Sequence, residues 1–374
     1  MNRCLHLIII GFAFFVLLSW TNVAESAPAQ EGTIEPYDVE ARQIRLDKLG
    51  VIATQEVRTR IDSGFFRIHF MDLQLPEGAD LEFTIHGRND ELLASIPASA
   101  MVDGASYWST TIPGTYALVE VRNRKALEGV LRMRLGEIGT EVRGARKLSV
   151  QNPADPKDEP IRMFAGKPSV ILAARAVAKL AFVKANRMLT CTGFLLSNDL
   201  MLTNQHCFDT QEACSSAIVT FGYEEDADLN VVKGEEQRCQ QVVMSDAGLD
   251  FSLIRVTGDP GTRWGMLQWE EKPPPAAAPL YVIQHPNGRP KRVALKGCKV
   301  KAAKTQGGVP GQKTDLSHLC DTEEGSSGSP VLNMNNRVVA LHHLGFDDPG
   351  SQWARENRAA LASFIRSCIA GSTQ

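Results

Sequence analysis

Short strands, rather than long helices, dominate the hydrophobic pattern of the first half of the chain. Between about residues 34 and 143, short apolar runs are separated by turn sequences, and residues 80–85 alternate strictly between polar and apolar side chains. This period of two is typical of a half-buried strand. Residues 107–112 and 116–121 flank Pro-Gly-Thr, which is a hairpin signal. Strands that follow one another without helices predict a β-sandwich over residues 34–148.

A proline-rich, charged segment separates this region from a second strand-rich one. Residues 149–168 contain Asn-Pro-Ala-Asp-Pro-Lys-Asp-Glu-Pro, which has the composition of an extended linker. The chain from 169 to 374 returns to short apolar runs. It ends in a helical stretch in which Leu361, Phe364, Ile365 and Cys368 share one face. The pattern therefore predicts two β domains joined by a linker that is open to proteolytic nicking.

The N-terminus has the features of a signal peptide. Arg3 precedes an almost unbroken apolar run over residues 5–18, and small residues follow at 24–29. We predict a signal over residues 1–26, with cleavage after Ser26 or Ala29. The alternative of an uncleaved anchor is less favoured because the apolar core is short for a membrane span. The expected location is extracellular or periplasmic, with no membrane association after cleavage.

Charge and cysteine usage narrow the function classes. The chain of 374 residues has 40 Lys+Arg against 43 Asp+Glu, a net charge of −3, so neither nucleic acid nor an anionic membrane is expected as a partner. Of its 8 cysteines, Cys4 lies in the predicted signal and the others all lie in the second half. Export favours disulfides, and an odd remainder leaves one thiol, for which Cys368 is the candidate. No CxxC pair is present, and we expect neither metal nor cofactor.

Three short motifs in the second half carry the candidate chemistry. They are Thr-Asn-Gln-His-Cys ending at Cys207, Leu-Asp-Phe-Ser-Leu-Ile starting at Leu249, and Gly-Ser-Ser-Gly-Ser-Pro starting at Gly325. A serine hydroxyl becomes a good nucleophile only when a base takes its proton and a carboxylate orients that base. The developing oxyanion also needs fixed backbone N–H donors. Each motif alone has an ordinary structural explanation, but together they supply all three side chains.

These motifs resemble those of the trypsin-like serine peptidases, and the third resembles the variant found in bacterial glutamyl- and lysyl-endopeptidase-like members. The order His206, Asp250, Ser327 is also the family's order. The resemblance implies an all-β, chymotrypsin-like double β-barrel over about residues 169–369, with a C-terminal helix. It further implies a catalytic triad of these three residues, an acyl-enzyme intermediate, and an oxyanion hole formed by the backbone N–H groups of Gly325 and Ser327. The partners would be protein or peptide substrates.

The resemblance also implies a disulfide between Cys191 and Cys207, which bracket the strands leading to the histidine. Cys214 with Cys239 and Cys298 with Cys320 are then the simplest remaining pairs, although sequence alone does not fix connectivity.

Substrate preference is left between two interpretations. Asp321 stands six residues before Ser327, where trypsin has the aspartate that attracts lysine or arginine. Thr322 and His342 match positions that glutamyl endopeptidases use for an acidic side chain. The two interpretations exclude each other, and Asp321 could instead turn into a local hydrogen bond. Of the two, a preference for a basic residue before the scissile bond is slightly favoured.

Ser326 marks a departure from the pancreatic enzymes. It replaces the aspartate that receives a new N-terminus in those enzymes, so their activation switch is not expected.

Two other functions compete with that of a serine peptidase. An α/β-hydrolase is disfavoured because its nucleophile precedes its other triad residues along the chain. A catalytically inactive binding protein is the remaining rival. The β-sandwich could be a pro-domain, a binding module or a stabiliser. His285 has no expected catalytic role, and His342 and His343 point in opposite directions on a strand.

Overall fold

A computed structural model describes residues 28–37, 40–60, 63–101, 106–141, 148–149, 157–308, 311–347 and 354–371. The chain divides into two compact units. Of the described residues, the N-terminal unit contains 30–141 and 183–188, and the C-terminal unit contains 28–29, 148–182 and 189–371. The predicted signal lies outside the described residues. Within the described ranges, no helix combines the length and the hydrophobicity needed to cross a membrane.

Ten strands precede the linker. They are β1 (Ala29–Pro36), β2 (Arg42–Arg45), β3 (Gly50–Arg58), β4 (Phe65–Gln74), β5 (Leu81–His86), β6 (Leu92–Pro97), β7 (Tyr107–Trp108), β8 (Ile112–Pro113), β9 (Tyr116–Asn123) and β10 (Val130–Glu141). Strands β3, β9, β5 and β6 form one antiparallel sheet in that order. Strand β10 pairs with β1, β2 and β4 in another, and β4 also pairs with β7 and β8.

The two sheets of the N-terminal unit enclose one apolar core. The alternation predicted for residues 80–85 is realised in β5, where Leu81, Phe83 and Ile85 are buried. They belong to the same cluster as Phe66 and Phe70 of β4 on the other sheet. Because both sheets bury one face against the other, this region forms the predicted β-sandwich.

The C-terminal unit contains the remaining elements. Its strands are β11 (Leu148–Ser149), β12 (Asp158–Pro160), β13 (Val177–Lys184), β14 (Arg187–Leu195), β15 (Leu200–Thr203), β16 (Ile218–Phe221), β17 (Glu224–Glu225), β18 (Val231–Val232), β19 (Glu235–Asp246), β20 (Phe251–Val256), β21 (Gln268–Trp269), β22 (Leu280–Gln284), β23 (Arg292–Ala294), β24 (Val300–Thr305), β25 (Asp315–His318), β26 (Thr322–Glu323), β27 (Pro330–Asn333), β28 (Arg337–Asp347) and β29 (Ala354–Leu361). Its helices are α1 (Pro168–Arg175), α2 (Gln211–Ser216), α3 (Pro260–Trp264) and α4 (Ala362–Gly371).

These strands form one closed barrel and one half-barrel. The path β13-β16-β19-β20-β15-β14 closes through pairing of β13 with β14. Phenylalanines such as Phe194, Phe208 and Phe251 are buried in the core of this closed barrel. The path β12-β23-β22-β27-β28-β29-β25-β24 remains open and forms the half-barrel, and α4 follows it. The predicted all-β class with a C-terminal helix is confirmed, and of the two predicted barrels one is closed while the other, over the described residues, is an open half-barrel.

The predicted linker is more structured than its composition suggests. From residue 157 onwards it forms β12, which pairs with β23, and then a 3-10 helix over residues 161–164. Asp158 is buried and forms ion pairs with Arg292 and Arg289. Ile161 and Phe164 enter the core. The partners that order this segment lie more than a hundred residues away, so its local composition gives no sign of them.

The disulfide network contains every pairing that the sequence analysis suggested. Cys191 bonds Cys207, Cys214 bonds Cys239, and Cys298 bonds Cys320. Cys368 is also disulfide-bonded, so the prediction that it is the unpaired thiol is wrong.

We predict that Asp158→Ala destabilises the C-terminal unit by about 3 kcal/mol, because it leaves the guanidinium of Arg292 in a largely buried place without its counter-charge. Denaturant unfolding followed by tryptophan fluorescence measures the effect, and limited proteolysis should show new cuts near residue 158. Glu159→Ala removes the neighbouring exposed carboxylate and serves as the control. Equal unfolding midpoints for the two variants would show that the ion pair does not anchor the segment.

Candidate active site

His206 lies in the loop after β15 and is held by several neighbours. The disulfide from Cys207 ties this loop to Cys191 of β14. Thr203 Oγ1, at the end of β15, donates to the carbonyl of Thr192, 2.8 Å away. Asn204 Nδ2 donates to the carbonyl of Asp250 at 2.8 Å. The backbone before and after His206 is therefore fixed to both neighbouring strands.

Asp250 binds His206 through both carboxylate oxygens. Oδ2 lies 2.8 Å from Nδ1 of the imidazole, and Oδ1 accepts the backbone N–H of His206 at 3.0 Å. Burial alone would raise the pKa of Asp250, but the charges and hydrogen bonds of His206 and His343 hold it below its usual range. The carboxylate is therefore ionised at neutral pH, and it selects the His206 tautomer with its proton on Nδ1.

A left-handed turn places Asp250 at the start of β20. Its backbone φ is +47°, which non-glycine residues seldom adopt. Asp246 Oδ1 supports the turn by accepting the N–H of Leu249 at 2.8 Å. Aspartate is among the residues that tolerate this conformation best, so one residue supplies both the turn and the carboxylate.

The serine loop is a tight turn that only glycine can complete. Gly325 and Gly328 both have φ of +86°. A Cβ on Gly328 would lie 2.0 Å from the carbonyl oxygen of Thr192 and 2.4 Å from Thr203 Oγ1. Thr192 N–H also donates to the carbonyl of Ser327 at 2.8 Å. The loop carrying Ser327 is therefore pressed against the strands that lead to His206.

Ser326 has a structural contact inside this turn. Its side-chain oxygen accepts the N–H of Glu323 at 3.0 Å, and its own N–H donates to the carbonyl of Glu323 at 3.0 Å. On the other side, Thr192 Oγ1 donates to the carbonyl of Gly325 at 2.9 Å. These bonds fix the backbone on which both predicted oxyanion donors, Gly325 and Ser327, lie.

The three predicted specificity residues are all buried but have different partners. Asp321 Oδ2 accepts the backbone N–H of Lys157 at 2.9 Å. His342 Nδ1 lies 3.3 Å from His318 Nε2. Thr322 Oγ1 and His342 Nε2 make no hydrogen bond to any residue that the structure describes.

Two neighbours of the site, His318 and Asp315, were not found by sequence reasoning. His318 contacts His342 across the half-barrel, and Asp315 contacts His343. Only the pairing of β25 with β29 and of β29 with β28 brings these two residues to the site, and this pairing joins residues far apart in sequence. His342 and His343 contact different partners, as expected of adjacent strand residues.

Cys191, His206 and Cys207 lie close enough to suggest a metal site. Because the two cysteines are joined in a disulfide, they offer no thiolate to a metal ion. His285, which the sequence analysis left without a catalytic role, is buried with Nδ1 3.1 Å from the carbonyl oxygen of Arg289.

Comparisons with known proteins show what the C-terminal unit is similar to. Residues 191–341 match the family model of the trypsin-like peptidase domain. The secreted RxLR effector protein 73 of Plasmopara viticola is 31% identical over 196 residues, covering 49% of this chain and 48% of that protein. The uncharacterised protein y4fB of Sinorhizobium fredii is 30% identical over 169 residues, covering 42% and 25%. The chain thus spans about half or less of the length of these curated relatives.

Solved structures with similar folds include the active form of the Rv3671c protease of M. tuberculosis and a Glu endopeptidase. The first is 21% identical, with a TM-score of 0.44 over 59% of this chain and 90% of that one. The second is 19% identical, with a TM-score of 0.42 over 59% and 98%. The matched stretch contains His206, Asp250 and Ser327, so residues 191–341 of this chain are similar to a trypsin-like peptidase domain.

Proposed function

We propose that the chain is a secreted serine endopeptidase in which His206, Asp250 and Ser327 form the catalytic triad. The observation that carries this proposal is the contact of both Asp250 oxygens with His206, at 2.8 and 3.0 Å. That contact fixes the ring orientation and tautomer that a general base needs. The serine turn, pressed against Thr192 and Thr203, supports the same assignment.

The reaction follows from these positions. Ser327 Oγ attacks the scissile carbonyl while His206 Nε2 takes its proton, and Asp250 stabilises the imidazolium that forms. The N–H groups of Gly325 and Ser327 stabilise the oxyanion of the tetrahedral intermediate. His206 then protonates the leaving amine, and water hydrolyses the acyl-enzyme by the same steps in reverse order.

No activating N-terminus is needed to set the oxyanion turn in this proposal. Ser326 forms hydrogen bonds to Glu323 within its own turn, where the pancreatic enzymes have an aspartate that receives the new N-terminus. If the chain is a zymogen, its activation uses another route, such as cutting in the linker.

Loss of the nucleophile is the most direct test. We expect Ser327→Ala to lower kcat by about 10⁶ and Asp250→Asn by about 10⁴, because the first removes the attacking atom and the second the tautomer control. Peptide hydrolysis and labelling by a serine-directed phosphonate are the measurements. Ser215→Ala changes an exposed serine of α2, and this variant should retain both peptide hydrolysis and phosphonate labelling. A wild-type protein that is folded but neither cleaves nor labels would favour the inactive binding protein, unless cutting in the linker restores activity.

For substrate preference, the contacts of the three specificity residues favour an acidic side chain before the scissile bond. The carboxylate of Asp321 already accepts a backbone hydrogen bond from Lys157, which reduces its capacity to bind a basic side chain. Thr322 Oγ1 and His342 Nε2 are buried and make no hydrogen bond of normal geometry to any described residue, although the backbone of Arg358 lies near the His342 ring. A buried donor without a partner is costly, and a substrate carboxylate would satisfy both.

Hydrogen bonds fix which nitrogen of His342 carries its proton. The N–H of Cys320 donates to His318 Nδ1 at 3.3 Å, so the proton of His318 is on Nε2. His318 Nε2–H therefore donates to His342 Nδ1, which leaves His342 with its proton on Nε2. Burial lowers the pKa of both rings, to about 3 for His318, and a contact of His342 with the backbone of Arg358 opposes this only in part. His342 thus presents one neutral N–H donor.

Profiling with a peptide library tests this preference. We expect cuts after glutamate or aspartate, and His342→Gln to lower kcat/KM for such sites at least 10-fold, since one lost hydrogen bond to a charged group costs about 1.5–3 kcal/mol. Phosphonate labelling controls for assembly of the site. Cuts after lysine or arginine that disappear in Asp321→Asn would instead support the alternative prediction of a basic preference.

Secretion is supported by the predicted signal at residues 1–26, by the disulfides of the C-terminal unit, and by a relative whose name describes it as secreted. N-terminal sequencing of protein from culture supernatant tests both export and processing. We expect a start at residue 27 or 30, and a second start within 150–167 if the linker is cut. Retention of the uncleaved chain in the cell would contradict secretion.

A further inference from the structure

The imidazole of His343 lies between two carboxylates. Its Nε2 is 2.7 Å from Asp315 Oδ2, and its Nδ1 is 3.3 Å from Asp250 Oδ2, an ion-pair distance without the angle of a straight hydrogen bond. All three side chains are largely or fully buried. The same Asp250 oxygen also contacts His206 Nδ1 at 2.8 Å. His206, Asp250, His343 and Asp315 therefore form one continuous chain of alternating imidazoles and carboxylates.

A neutral His343 does not fit this arrangement. A neutral imidazole has one N–H and one lone pair, so one of its nitrogens would turn a lone pair towards a carboxylate oxygen. In a buried place that repulsion is poorly screened. The imidazolium has a proton on each nitrogen and matches both carboxylates. Burial alone would lower the pKa of His343, but Asp315 and Asp250 raise it to about 10.

We propose that His343 is a permanently charged positioning residue, paired with Asp315, that holds Asp250 from the side opposite His206 and extends catalysis to lower pH. This inference rests on the proposed triad. It assigns no contact with substrate to His343, which acts only through Asp250.

The charged groups around His343 determine the direction of its electrostatic effect on Asp250 and His206. Asp250 precedes β20, Asp315 and His318 lie on β25, and His342 is adjacent on β28. His318 and His342 are neutral, because burial and neighbouring positive charge lower the pKa of each. Glu356 of β29 faces His318 and forms ion pairs with Lys301 and Arg358. The charges next to Asp250 are therefore the positive His343 and, beyond it, the negative Asp315.

The ion pair of His343 with Asp315 acts on His206 as a dipole whose positive end, His343, is nearer to His206 than its negative end. Asp250 faces a cation on one side. The positive charge of His343 therefore weakens the attraction between Asp250 and the imidazolium form of His206. The ion pair also restrains Oδ2 of Asp250, while Oδ1 accepts the His206 backbone N–H.

The test compares wild type with the double variant His343→Gln/Asp315→Asn, which removes both buried charges and keeps side chains of similar size. We expect the acidic limb of the pH profile of kcat/KM to move up by about one pH unit, so that activity on that limb falls about 10-fold. The single variant His343→Gln should move it in the same direction. An unchanged acidic limb in variants that still react with the phosphonate would overturn the inference.

A second measurement does not need activity. In Ser327→Ala protein labelled with ¹⁵N at its 8 histidines, the His343 resonances, identified through His343→Gln, should show protonated nitrogens at pH 8. A neutral ring at that pH would overturn the fixed charge. If wild type neither cleaves nor labels, the proposed function fails, and the catalytic half of this inference fails with it. The NMR result still decides the charge.

His69→Gln is the matched control. It removes a buried histidine that contacts a carboxylate, Glu137, at 2.8 Å, but it lies in the N-terminal unit. Its pH profile should coincide with that of wild type. A shift equal to that of the His343 variants would mean that general loss of stability, and not the charge beside Asp250, moves the profile.

Discussion

The buried carboxylate of Asp250 is the interaction on which the candidate site depends. One oxygen accepts a backbone N–H and the other contacts two imidazoles, so the group fixes the loop of His206 as well as its ring. Burying a charge costs several kcal/mol unless it is paired and hydrogen-bonded. The surrounding donors offset that cost here, and they also require that the carboxylate stay ionised.

The serine loop depends on a different constraint, which is steric. Gly328 leaves no space for a Cβ against the carbonyl of Thr192, and its backbone has a positive φ. Thr192 in turn bonds Ser327 through its N–H and Gly325 through its hydroxyl. One strand residue thus positions the loop of Ser327 from both sides. The electrostatic and the steric parts of the site meet on β14 and β15, which the disulfide of Cys191 ties to the loop of His206.

The parts of the molecule that were predictable from sequence are those with local signals. The alternation in β5 predicted a sandwich strand, and the turn glycines beside Ser327 predicted a tight loop. The ordered part of the linker and the role of Asp315 were not predictable, because both depend on pairing across the half-barrel. The ion pairs of Asp158 with Arg292 and of Asp315 with His343 join residues on strands that are far apart in sequence.

The two adjacent histidines of β28 contact different partners. His342 joins His318 in a neutral pair that leaves one N–H donor, whereas His343 joins two carboxylates as a cation. The residues differ by one position in sequence, yet burial dominates the pKa of the first and neighbouring charge that of the second. Two neighbouring positions of β28 therefore carry imidazoles whose pKa values shift in opposite directions.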